Sequence, residues 1–344
     1  MIGAILVLAG VLLLVGVLLW AGGGKTVHEP RGGGIIEAFP EVPGDTPSTP
    51  EVLVLFSYSM AYGLGPQGAG HGRVDAAAVY DRLDQIIETI VASGAEIVLL
   101  QEVDFASQRS GDMDQLHYIA AALGWRFAAR AITWECRYLP VPLWAPWRHA
   151  GRVRAGQGVI SRYPLIDNTR QRLPQASAHP LWTPLFAPYD TVQMVEVLCG
   201  ERTVRLFNVH LEVHDVRTRQ QQAHALVTFV QQTATPNCVV MGAFNRVGAN
   251  PAAAESLQDR TMEIIGTGLR DRVRLAVGTA STPPLAVPGV RLEPVLVGPG
   301  LRALEIQSLP LDTPSMDHVP LVTSVHWVLP PGVTHDNHHQ IRLL

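Results

Sequence analysis

Glu96-Ile97-Val98-Leu99-Leu100-Gln101-Glu102-Val103-Asp104 decides how the rest of this chain is read. Its consecutive apolar residues, β-branched at the front and free of turn formers, predict a strand buried on both faces. The run then stops on Gln101, Glu102 and Asp104. In a sheet covered by other layers, carboxyl ends of strands are where side chains reach a ligand. A carboxylate there is costly unless it is paired or holds a cation. By itself Glu102 reads more readily as a solvated strand end; the stretches around it shift that balance.

Upstream, Val52 to Ser59 predicts another buried strand. Arg73 to Ser93 carries Val79, Leu83, Ile86, Ile87, Ile90 and Val91 at helical spacing, with Gly94 as the stop. Strand, helix, strand in this order points to a layered α/β domain. Downstream, Met113 to Leu123 predicts a second helix and 158–162 a strand. Strands 191–198 and 203–211 pair as a hairpin about the turn Cys199 to Arg202, and the second ends at His210. An amphipathic helix from Val216 to Thr233 precedes a strand over 237–243, which ends near Asn245. Val290 to Val297 is a short strand, and Asp317-His318 stands before a last apolar one. Taken singly, His210 reads as a structural residue and Asp317-His318 as a turn.

Residues 131–158 are the least regular part, with Trp134, Tyr138, Trp144 and Trp147 among arginines. A long loop in a compact domain is usually functional or disordered, and the aromatic content argues against disorder. Two readings stand side by side. Either it is a rim over a pocket, with Arg148, His149 and Arg152 aimed at anionic oxygens, or the tryptophans only pin the loop to the surface.

The chain has 344 residues, 47% of them hydrophobic and 16% charged, ample for a large core. Its net charge of −4 lacks the basic footprint of a protein that grips long nucleic acid; a small fragment stays open. Three cysteines form no disulfide framework: Cys238 reads as a buried thiol, and pairing of Cys136 with Cys199 is left open.

Residues 2–21 hold no charge and match the ~20 needed to cross a bilayer. The n-region lacks Lys and Arg, and the run ends Leu19-Trp20-Ala21, which favours an uncleaved single-pass anchor over a signal peptide. Lys25 and Arg31 point only weakly to the side that holds the soluble part. Glycine triplets and scattered prolines make 22–50 a flexible linker. The soluble domain is then 51–328 and the C-terminal tail 329–344.

In order and spacing these stretches resemble the endonuclease/exonuclease/phosphatase superfamily of metal-dependent phosphoesterases. Gln101-Glu102-Val103, Ile160 to Pro164, Asn208-Val209-His210-Leu211, Gly242-Ala243-Phe244-Asn245, Arg291-Leu292-Glu293 and Ser315-Met316-Asp317-His318-Val319-Pro320 carry the resemblance. Each motif is weak, and their order over one domain is what makes the resemblance specific. It implies a four-layer α/β sandwich, two packed mixed β-sheets flanked by helices, here behind an N-terminal transmembrane helix. It also implies Mg²⁺, or Mn²⁺ in its place, on Glu102, a catalytic set of His210, Asn245, Glu293, Asp317 and His318, and Ser59 beside the phosphate.

Three departures matter. Ser59 stands where the family has Asn, Ala243 where it has the Asp that handles the attacking water, and Glu293 where it has the Asp that steadies the last His. Losing a general base usually costs about 10²–10⁴ in rate. Two functions therefore stand. One is a membrane-anchored Mg²⁺-dependent phosphodiesterase or phosphatase of weakened activity, acting on nucleic acid, a lipid headgroup or another phosphoester. The other is an inactive member that binds a phosphorylated ligand or a protein partner.

Overall fold

In the computed structural model the described residues are 2–22, 31–42, 47–65, 72–175, 186–245, 259–276, 293–309, 311 and 318–328. In chain order the elements are α1 (Ile2–Gly22), β1 (Arg31–Gly33), β2 (Ile35–Ala38), β3 (Val52–Ser59), α2 (Ala76–Ser93), β4 (Ile97–Asp104), α3 (Gln115–Leu123) and β5 (Phe127–Leu139). Then come β6 (Gly151–Ser161), β7 (Leu165–Arg172), β8 (Thr191–Cys199), β9 (Arg202–His210), α4 (Val216–Thr233) and β10 (Cys238–Ala243). The last are α5 (Thr261–Leu269), β11 (Arg274–Leu275), β12 (Leu296–Val297), β13 (Leu301–Ser308) and β14 (Leu321–Trp327).

β4 shows why the chain layers. Ile97 and Leu99 join a core with Leu53 and Leu55 of β3 and with Val195, Leu206 and Met241 of the other sheet. Val98 and Leu100 join a second core with Leu83 and Ile86 of α2 and Ile119 of α3. Alternate residues thus face opposite layers, as the period of a strand demands. On the far side, Val209 and Val240 pack beneath Leu226 and Val230 of α4 and Ile265 of α5. The order is helices, sheet, sheet, helices.

The two seven-stranded sheets run β1-β7-β8-β9-β10-β12-β11 and β13-β14-β3-β4-β6-β5-β2. The first is parallel only at β9–β10 and the second only at β3–β4. The sheets are therefore mixed, as the resemblance implies. Helix ends follow local chemistry: Asp75, Asp114 and Asp215 cap α2, α3 and α4, and left-handed Gly94 and Gly124 close the first two.

Two expectations are corrected. Part of the expected linker over 22–50 belongs to the domain. β1 pairs with β7 on the edge of one sheet, and β2 pairs with β5 on the edge of the other. Phe39 and Val42 just after them are buried. No hydrophobic period advertises these strands because they are held by ladder hydrogen bonds at exposed edges. Likewise 131–158 is no long loop. Most of it is the antiparallel pair β5–β6, which leaves only 140–150 as the connection. Its alanines, glycines and arginines are weak strand formers, and packing on both faces overrides that preference.

Helix α1 forms over the stretch read as an anchor, with Leu6, Leu13 and Leu19 exposed. Its end rests on the domain: Ala21 is buried, Leu18 packs near Tyr62, Leu64 and Trp134, and Arg137 donates to the Trp20 carbonyl at 3.4 Å. Among residues with described side chains, which in α1 resume at Leu6, no helix is long and apolar enough to cross a membrane. The crossing therefore rests on sequence. The tail 329–344 lies outside the described residues.

Candidate active site

The two parallel pairs place four strand ends together. β3 finishes at Ser59, whose partner on β4 is Gln101, next to Glu102, and β9 and β10 finish side by side at His210 and Ala243. A hydrogen bond between the sheets brings these ends to one place: Gln101 Nε2 donates to Asn208 Oδ1 at 2.7 Å. Asn208 in turn donates to the carbonyl of Leu100 at 3.0 Å and to Gln193 Oε1 at 3.2 Å. Buried amides bonded on all sides fix one alignment of the two sheets, since any slip leaves polar groups unmet.

Glu102 sits where the β4–β6 register breaks between Leu100 and Val103, and its φ is +55°. A left-handed residue at a bulge re-aims its side chain, here out of the sheet plane at a half-buried position. Ser59 Oγ donates to Glu102 Oε2 at 3.0 Å. Serine in the Asn position thus keeps a contact with the carboxylate that the resemblance assigns to the metal.

His210 lies between Thr191 and Ala243 in the sheet. Its Nδ1 is 3.8 Å from Asp190 Oδ1, and Asp190 also accepts from Gln222 Nε2 at 2.9 Å. Burial pushes the Asp190 carboxyl up to about 6; His210 and Gln222 pull it back, while Glu212 and Glu102 push it further. Asp190 was absent from the sequence reading, yet a signal for it existed. The hairpin turn at 199–202 pairs Thr191 with His210, so Asp190 sits beside the histidine by counting alone.

A second pair lies opposite. His318 Nδ1 is 3.7 Å from Glu293 Oε1. Glu293 also accepts from the backbone N–H groups of Phe244 at 2.9 Å and Asn245 at 3.4 Å. Its longer arm has therefore kept the contact with the histidine. Asn245, fully buried with φ +53°, donates to the Leu211 carbonyl at 2.6 Å. Because Leu321 pairs with Ser57, the chain leading from His318 into β14 runs past the end of β3, near Ser59. Asp317 lies outside the described residues.

Behind Glu102 is a buried cation. Arg109 pairs with Asp104 at 2.8 Å, with no exposure of either side chain. Its guanidinium lies 4.0 Å from the Tyr62 ring centre and 4.4 Å from that of Trp134. Burial works against the Arg109 charge, but Asp104, with Tyr62 and Glu102, outweighs it and keeps the group protonated. Tyr62 is pushed well above its usual range, by burial first and then by the charge of Glu102. Sequence reading missed this cluster because a lone arginine after a strand carries no pattern.

The expected anion-binding rim is only partly assembled. Arg148 is exposed, Arg152 pairs with Asp112 at 2.7 Å, and His149 Nδ1 lies 2.7 Å from the Tyr138 hydroxyl. They stand past the Asp104 end of β4, since Asp104 pairs with Ala155. All three cysteines are free and buried, and burial pushes their thiols up to about 11 for Cys136 and Cys238 and about 12 for Cys199. Among the described residues no three His, Cys, Asp or Glu side chains gather as a ready metal cage.

The sequence model of the endonuclease/exonuclease/phosphatase family matches residues 62–334. No curated protein sequence matches the chain. Among solved structures, an endonuclease/exonuclease/phosphatase from Beutenbergia cavernae DSM 12333 superposes with TM-score 0.55 at 17% identity, covering 81% of this chain and 72% of that one. The human Nocturnin catalytic domain with bound sulfate gives 0.52 at 16%, covering 86% and 97%. A mannosyl-6-phosphatase from Bacteroides thetaiotaomicron gives 0.50 at 12%, covering 80% and 100%. At these identities the likeness speaks for the fold.

Proposed function

The chain belongs to the endonuclease/exonuclease/phosphatase family, and from that premise we propose a membrane-anchored, divalent-metal-dependent phosphoester hydrolase of reduced activity. The observation that carries it is the convergence of Glu102 with two histidine–carboxylate pairs at the ends of the parallel strands. The uncharged α1, with its apolar side chains exposed, supports a single-pass membrane location.

The donor set suits Mg²⁺, with Mn²⁺ as substitute. Such an ion keeps several waters and needs only one or two protein carboxylates. Glu102 would hold it, re-aimed by its backbone and kept in place by Ser59. When bound, the ion supplies neutralisation of charge on the phosphoryl oxygens.

The protein's own groups do the rest. Each histidine turns Nδ1 to a carboxylate, which orients the ring and leaves Nε2 for a phosphate oxygen. At 3.8 and 3.7 Å these are ion-pair contacts longer than hydrogen bonds. Such contacts often tighten when substrate is bound. Once protonated, the imidazoles stabilise the developing negative charge, the largest single contribution in reactions of this kind. Glu293 holds the turn that carries Asn245, and Asp317 adjoins His318 in sequence. Ala243 is 1% exposed and has no group with which to position or deprotonate water. That favours a slow enzyme and gives the second reading, a member that binds a phosphorylated ligand without turnover, its one specific support.

The test is hydrolysis of bis(p-nitrophenyl) phosphate by the full chain, with Mg²⁺ and with chelator, beside Glu102→Ala. Turnover that needs both the ion and Glu102 is expected. Phosphate-ester binding without any turnover leaves the second reading, and turnover indifferent to both removes the proposed site.

A further inference from the structure

Resting on the anchored-hydrolase reading, we propose that the 140–150 connection is a second, interfacial membrane contact, and that it sets the active site at headgroup depth, so that the substrate is a phosphoester carried by a lipid. Leu143, Trp144 and Trp147 are 74%, 79% and 80% exposed. Three large apolar side chains this bare in one short connection mark a surface made for contact. The exposed Arg137 and Arg148 flank them. Tryptophan with arginine is the composition of the bilayer interface, where the ring sits among headgroups and the cation meets anionic lipid.

What identifies lipid as the occupant is where the connection is rooted. Its base, Leu139, Val141 and Ala150, belongs to the same packed cluster as Leu18 and Ala21 at the end of α1. Arg137, at the start of this surface, donates to the carbonyl of Trp20. With α1 in the bilayer, Trp20 and Ala21 mark the level at which the helix leaves it. A connection packed against that end stays at the same level, where its bare tryptophans find the environment they suit. The cluster also contains Tyr62, two residues beyond Met60, whose N–H donates to the carbonyl of Gln101, next to Glu102, at 3.0 Å. The strand end that carries Glu102 therefore borders the same cluster that receives the helix.

The experiment uses the full chain in lipid nanodiscs, with a bimane label at Trp144→Cys. The three native thiols are buried, so the label goes to the introduced one. Lipids brominated near the headgroup should remove bimane emission at 144. They should not do so for Leu275→Cys, an exposed position on β11 remote from this cluster. A label at Val11→Cys, quenched by deeply placed bromine, reports anchoring separately. Quenching at 11 without quenching at 144 overturns this inference and leaves the anchor standing; quenching at neither removes both. Shielding of 144 only in discs that hold two copies makes the patch a contact between protein chains, which also overturns it. On the activity side, Leu143→Ser with Trp144→Ser and Trp147→Ser should lower hydrolysis of a fluorescent-headgroup phospholipid in the discs by about tenfold or more. Hydrolysis of bis(p-nitrophenyl) phosphate should not change. Equal loss on both substrates, by a variant whose urea midpoint matches the parent's, overturns the lipid assignment. The quenching arm decides the contact even where turnover is absent.

Discussion

The carboxylate of Asp190 lies 3.8 Å from Nδ1 of His210, and on the next strand the register partner of that histidine is Ala243. One acid thus remains beside the histidine although the family's acid on β10 is missing.

Asp190 should give the protein a measurable pH dependence. Its carboxyl is raised from 3.8 to about 6, so the native state binds this proton more tightly than the unfolded chain does. The stability linked to it is fully present below about pH 4 and is lost as pH rises through about 6, by at most ~3 kcal/mol. With 19% of the side chain exposed, solvent trims that figure. Urea midpoints should fall across this window in the parent chain and much less in Asp190→Asn. A slope that survives the substitution assigns the titration elsewhere.

Restoring the missing acid should raise turnover. Ala243→Asp places a carboxylate beside His210 at the end of β10, and its effect should fall on kcat more than on KM. A gain of about 10²-fold in Mg²⁺-dependent hydrolysis fits recovery of a general base. Ser59→Asn should add to it, and Glu102→Ala should erase it. A folded Ala243→Asp chain that binds Mg²⁺ yet stays silent on several phosphoesters supports the binding-only reading.

Arg109→Met should be costly to the fold. It removes the partner of Asp104, whose carboxylate has no exposure, and the cation between Tyr62 and Trp134. Breaking a buried pair from one side typically costs about 3–5 kcal/mol. Denaturant unfolding followed by tryptophan fluorescence measures it. A loss below about 1 kcal/mol would show that the pair adds little.

Gly242→Ala should damage the site through the backbone. Gly242 has φ +137°, and a Cβ there would lie 2.2 Å from the Val209 carbonyl oxygen. β10 would have to back away from β9, undoing the register that sets Ala243 against His210. A destabilisation of about 1–3 kcal/mol is expected, and Ala243→Asp built on that background should regain less activity than on the parent. Equal regain would mean that the strands absorb the methyl group.

The buried strands were legible because each is apolar on both faces. β3, β4 and β10 announce themselves by apolar runs, and β8 and β9 as a hairpin whose turn at 199–202 even encodes the partner of His210. β5 did not, since Ala128, Ala129 and Ala131 pack through small size and give no periodic signal. The candidate site was legible where residues lie at or near a strand end, as with Glu102, His210 and Asn245. It was hidden where a contact depends on tertiary approach. Nothing in the neighbourhood of Arg109 or Tyr62 in sequence foretells that one is stacked on the other.

The short strands before Glu51 decide where the chain can be cut. A soluble version started at the apparent domain boundary would lose β1 from beside β7 and β2 from beside β5. Each sheet would then end in a row of bare backbone donors and acceptors, the surface on which chains zip together into aggregates. A cut between Gly22 and Arg31 removes the apolar helix and keeps both selvedges bound. The same protein would come out of the cell as clumps or as monomer depending on which side of those few residues the gene begins.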